Sequence, residues 1–130
     1  MKKISLLTKT AFHISNMGLI LIYLYPGSIM GRLFYGSFQK QPQLTPDFTV
    51  FSSNHVYAFM FLSLLGLLSY YKNKIKFLFL YLFFASIFLE LCHYLIPQRS
   101  FQYQDLFGNI FGVFLIFTIF ELYKFFKKND

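Results

Sequence analysis

Four stretches of the chain are apolar around most of the helical circumference. They run from Ser5 to Tyr25, Val50 to Tyr71, Ile75 to Ile96 and Leu106 to Phe126. A helix lying on a soluble core would show one apolar stripe and a charged opposite face. These runs lack that division. Each has about 20 residues, which at about 1.5 Å of rise per residue matches a hydrocarbon layer roughly 30 Å thick. The pattern predicts an all-α integral membrane bundle of four transmembrane helices. The first run is the most interrupted, by Lys9, His13 and Asn16. Preceded by "MKK", it has the outline of a signal peptide. Lys9 and the want of a small-x-small cleavage site favour a retained helix instead.

The breaks between runs give the organisation. Residues 1–26 read as the first transmembrane helix, 27–49 as an irregular loop bearing Gly, Pro and Gln, 50–126 as a three-helix region and 127–130 as a basic tail. Lys2, Lys3, Lys9, Lys72, Lys74, Lys76, Lys124, Lys127 and Lys128 fall at one set of helix ends, and only Arg32, Lys40 and Arg99 at the other. The positive-inside rule then places both termini in the cytoplasm.

Composition agrees: 56% hydrophobic, 23% aromatic and only 13% charged residues in 130. A soluble domain of this size could not bury that much Phe and Leu. The net charge of +7 does not imply nucleic acid, because the basic residues cluster between apolar runs and form no stripe along a face. Cys92 has no partner for a disulfide and reads as a small packing residue. His13 and Asn16 read as contacts between helices.

The polar residues inside the apolar pattern are the candidate chemistry. Glu90 and His93 are three apart and share a helix face. Asp105, Asn109 and Gly112 recur at i, i+4 and i+7 on another. His55, Phe59, Leu62 and Gly66 form a third. Gly108 and Gly112 make a Gly-x-x-x-Gly pair suited to close helix approach, with Val113 expected to point away from that contact. The expected topology puts these groups in the outer leaflet, with Glu90 about 10 Å deep under the "PQRSFQYQ" turn. A buried charge at such depth costs about 2.5–3.5 kcal/mol on insertion scales and so usually has a partner or a function. Glu90 has His93, His55 and Arg99 within sequence reach as partners, or is neutral. Plainer roles exist: Asp105 as an N-cap or the surface partner of Arg99, and Asn109 as an interhelical hydrogen bond. Glu90-x-x-His93 is half of a di-iron carboxylate pattern, but no second Glu-x-x-His follows. No metal and no cofactor are expected. There is no Gly-rich phosphate loop and no nucleophile elbow.

The stretch "LELCHYLIPQRSFQYQDLFGNIFG" resembles the signature of VanZ-like membrane proteins: a Glu, a proline-bearing turn with Arg, then Asp-x-x-x-Asn-x-x-Gly. Glu90, Arg99, Asp105, Asn109 and Gly112 fall in register. "SSNHVYAFMF" is similar to a second landmark, a His opening an apolar helix, at His55. His93 stands where the family usually has Gln, and the family's Asp-Lys before the helix is replaced by Phe51 and Ser52. The resemblance covers roughly residues 51–120. It implies a multi-pass protein of the bacterial plasma membrane, with founding members associated with resistance to the lipoglycopeptide teicoplanin.

Three functions follow as expectations. The first is a non-enzymatic envelope protein whose outer-leaflet pocket of Glu90, His93, Arg99, Asp105, Asn109 and His55 binds a lipid-linked precursor or a lipoglycopeptide. In that reading Arg99 meets an anionic head group, and membrane lipid is the other partner. The second is an enzyme acting on a lipid-linked or polyprenyl-phosphate substrate, with Glu90 or His93 as general base. The third is a structural assembly subunit held together by Gly66, Gly108 and Gly112.

Overall fold

The computed structural model describes residues Lys2–Asn129, with side chains from Ser5 to Lys128. The described residues are helical and contain no strand. In chain order the helices are α1 (Lys2–Leu24), α2 (Ile29–Tyr35), α3 (Ser53–Tyr70), α4 (Ile75–Leu91) and α5 (Tyr103–Asn129). A single 3-10 turn, Cys92–Tyr94, extends α4. Asp130 and the side chains of Lys2, Lys3 and Asn129 lie outside the described residues. The expected tail from residue 127 is the last turn of α5 as far as Asn129.

Polarity is arranged inside out. Phe77, Phe84 and Phe88 on α4 are 74%, 61% and 64% exposed, while Glu90, Asn109, Ser63 and Ser86 are 0% exposed. Water would favour the reverse. Such a surface suits lipid, which solvates apolar faces and leaves polar groups to find partners inside.

By length and composition, α4 with its 3-10 extension (Ile75–Tyr94) and α5 (Tyr103–Lys128) are each able to cross a membrane. The pair α1–α2 qualifies only if counted as one broken span, bent by 88° between Leu24 and Ile29. The sequence expectation of four spans is therefore met in part: two, or three with the bent pair. α3 falls short on its own because Ser53, Asn54, His55, Ser63 and Ser69 dilute its apolar residues. Most of these polar groups point inward, where α3 packs against α1, α4 and α5.

The loop expected to be irregular contains α2. Gly27, at φ 86°, takes the left-handed backbone that turns the chain out of α1. The Ser28 hydroxyl then caps α2 by accepting from the Gly31 amide at 2.9 Å. The rest of the loop is tied to the start of α3. Asn54 donates to Pro42 O (2.7 Å) and accepts from the Leu44 amide (3.1 Å), and Asp47 accepts from the Ser53 amide (2.9 Å).

Small residues set the helix spacing. A Cβ at Gly112 would lie 2.5 Å from Val56 O, and one at Gly108 2.8 Å from Ser52 O, so α5 rides directly on the α3 backbone. At Gly66 a Cβ would lie 2.9 Å from Leu78 Cδ1. Val113 does not point away from the packing. It is fully buried in the core with Phe59, Leu62 and Leu82, because α5 is packed by α3 on one side and α4 on the other.

The two ends of the bundle differ. At one end Ser5, Lys9, Lys72 and Asn73 surround a cavity, and Lys76 lies near Glu121 and Phe125. The turn from α4 into α5 lies at the other, called here the loop end.

Candidate functional site

The loop end is where three helices and the 3-10 turn deliver their polar side chains. His55 comes from the first turn of α3 and Asp105 from the first turn of α5. Glu90 comes from the last turn of α4, and His93 from the 3-10 turn that follows. His55 Nδ1 lies 3.2 Å from Asp105 Oδ1 and 2.9 Å from Ser52 Oγ. His93 Nδ1 lies 3.2 Å from Glu90 Oε1. The expected Glu90–His93 face thus exists, although the helix tightens to 3-10 geometry within it.

His93 Nε2 lies 3.1 Å from the Tyr23 carbonyl, so the imidazole bridges Glu90 on α4 and the end of α1. Glu90 Oε1 also accepts from the Gln102 amide at 3.1 Å, so the α4–α5 turn is fastened to the buried carboxyl. Glu90 Oε2 is buried with no partner among the described residues.

Asn109 occupies the next layer inward. It accepts from Tyr23 Oη at 2.6 Å and donates to Ser86 O at 3.1 Å, linking α1, α4 and α5. Both its amide oxygen and its amide nitrogen have partners on other helices, as the interhelical reading of the sequence expects. Tyr23 stacks on His93 and meets His55 edge-on. Sequence reasoning singles out neither Tyr23 nor Ser86. Ser86 carries a signal, since it precedes Glu90 by four residues on the same face. Tyr23 carries none, as nothing in a run of Ile, Leu and Tyr marks the one that turns inward.

Two plainer expectations are corrected. Asp105 is not the N-cap of α5, because the helix begins two residues earlier at Tyr103 and places Asp105 within its first turn. Arg99 does not pair with Asp105. Its Nη2 donates to Ile22 O at 2.7 Å and its Nε to Tyr25 O at 3.2 Å, which closes the last turn of α1. Burial pushes the Arg99 guanidinium below its usual pKa, against the opposing pull of Tyr23, Glu90 and Asp105. Arginine nonetheless stays charged in water or protein.

Two spaces open beside these groups. A polar cavity of about 360 Å³ is lined by His93, Arg99, Gln102 and Asp105 with Gly27, Ser28 and Gln41. An apolar groove of about 520 Å³ runs between α1, α2 and α3, lined by Leu19, Ile22, Met30, Phe34 and Phe61, with His55 and Arg99 also on its wall. Ser28, Gln41 and Arg99 border both.

A helical bundle with an apolar exterior and a buried polar cluster at one end defines the class, a helical membrane protein. The family described as VanZ/LLP1 matches this chain over residues 5–124, nearly its whole length, and the chain belongs to that family. No curated protein and no solved structure matches it.

Proposed function

We propose that the loop end is an outer-leaflet binding site for an amphiphile with an anionic head and a long apolar chain. A polyprenyl-phosphate-linked precursor of the bacterial cell envelope has this chemistry. The observation that carries the reading is the shared border. Arg99, Ser28 and Gln41 line both the polar cavity and the apolar groove, so one molecule can place its head in the first and its chain in the second. A guanidinium suits a phosphate head because its donors match the oxygens in pairs. A lipid-linked precursor offers a phosphate to Arg99 as well as a chain to the groove, so it is the favoured ligand over a lipoglycopeptide of the teicoplanin type.

In this reading the protein lies in the bacterial plasma membrane with four crossings, α1, α3, α4 and α5, and both termini in the cytoplasm. The support is charge. The described basic residues Lys9, Lys72, Lys74 and Lys76 gather away from the loop end, as the positive-inside rule requires of a cytoplasmic face. Single cysteines at Ser100 and Lys74 in a Cys92→Ser background test the orientation. Ser100→Cys labels from outside in intact cells; exclusive labelling of Lys74→Cys would invert it.

Ligand choice is tested with the full chain in nanodiscs, titrated with a polyprenyl phosphate and with the matching polyprenol. The phosphate should bind at least about tenfold more tightly, equivalent to about 1.4 kcal/mol. Equal binding, or none of either lipid, would overturn the reading.

A further inference from the structure

An anionic head group accounts for Arg99 but not for two carboxylates set beside it. One oxygen or nitrogen from each of His55, Glu90 and Asp105 lies within 4.8 Å of the other two. Among the described residues, Glu90 and Asp105 have imidazoles as their only ion-pair partners. A second observation is independent of that clustering: Glu90 is 0% exposed and its Oε2 has no hydrogen-bond partner among the described residues. A buried carboxylate oxygen left alone is costly and calls for a ligand.

We propose that His55, Glu90 and Asp105 hold one divalent transition cation of the Zn²⁺ or Mn²⁺ class. An imidazole with two carboxylates is a donor set for such ions, whereas Ca²⁺ and Mg²⁺ prefer oxygen alone. Bonds of about 2.0–2.2 Å hold donor atoms no more than about 4.4 Å apart, so a small inward rotation of the side chains completes the set. The surrounding contacts suit the task. Glu90 Oε1 is already occupied by Gln102 N–H and His93, which orients the carboxyl and leaves Oε2 for the metal. Two carboxylates neutralise the cation. Three protein ligands would leave coordination positions open, and one of the three, Asp105, lines the polar cavity beside Arg99.

Sequence alone points away from metal, because Glu90-x-x-His93 has no second copy. The missing ligands come instead from the first turns of α3 and α5. The cation site borders the proposed lipid site, with Asp105 on the polar cavity and His55 on the apolar groove, but does not rest on it.

The test uses the full chain in nanodiscs, stripped with chelator, incubated with Zn²⁺ or Mn²⁺ alone and desalted, with no lipid ligand added. Wild type should retain about one ion per chain, as a three-ligand site does. Glu90→Gln and Asp105→Asn should each weaken retention by at least about tenfold, while His13→Gln, far from the cluster, retains the ion. Because a variant can fail to fold, the melting temperature of the wild type is measured with and without each ion. A site that binds the folded state must raise it. No retained ion and no rise in melting temperature would overturn the proposal, as would equal retention by folded Asp105→Asn. Ion retention without lipid binding would remove the lipid reading and leave the cation site standing.

Discussion

Polar side chains sit between helices at both ends of this bundle, yet the two ends use their hydrogen-bonding capacity differently. Away from the loop end, His13 Nε2 meets Tyr70 Oη at 2.8 Å, and Asn16 exchanges hydrogen bonds with Tyr81 Oη at 2.6 and 2.9 Å. These pairs bind α1 to α3 and α4, involve no carboxylate, and are partly exposed. Each closes on itself. At the loop end the pairs are buried, titratable and incomplete: Glu90 keeps an unpartnered oxygen, and Arg99 faces a cavity. Interhelical polar contacts are common adhesive in membranes. Residual capacity in a buried cluster, with space beside it, separates a candidate site from adhesive.

The contrast presumes that close packing of α3 and α5 positions His55 and Asp105. The largest effect should therefore come from Gly112→Leu, whose side chain would enter the α3 backbone at Val56. Overpacking of this kind costs about 3 kcal/mol or more. Ile119→Leu, on the exposed face of α5, should leave the melting temperature unchanged. Similar melting for the two variants would break the packing account.

Asn109→Leu should come next. It strands Tyr23 Oη and Ser86 O in an apolar interior, a loss of about 2 kcal/mol. If Asn109 were a ligand group with spare capacity, stability would hardly change and lipid binding alone would suffer. Tyr81→Phe, at the other end, should cost only about 0.6 kcal/mol, as interhelical hydrogen bonds in membranes typically do. Its lipid binding should equal that of wild type. A binding defect in Tyr81→Phe would erase the distinction between the ends.

Much of this architecture is legible in the amino-acid sequence. The apolar runs locate α1, α3, α4 and α5 to within a few residues, because full-circumference hydrophobicity is a signal that tertiary context does not override. The faces carrying Glu90–His93 and Asp105–Asn109 follow from helical spacing. What escapes depends on contacts distant in sequence. α2 owes its existence to the Ser28 cap and to Gly27, in a stretch without helical periodicity. Arg99 is expected beside Asp105, its neighbour in the turn, but it bonds to carbonyls at the end of α1 and just beyond it, more than seventy residues away. The cluster of His55, Glu90 and Asp105 joins three helices, and no local pattern announces it.

The central claim is that Arg99 recognises an anionic head group and is not merely a clamp on α1. Arg99→Gln tests it in nanodiscs, because the Gln amide nitrogen stands at the position of Arg Nε, from which Tyr25 O accepts, and carries no charge. The account predicts a melting temperature close to wild type, polyprenyl phosphate binding weakened by at least about tenfold, and unchanged binding of the uncharged polyprenol. Undiminished phosphate binding by a folded Arg99→Gln protein would contradict it.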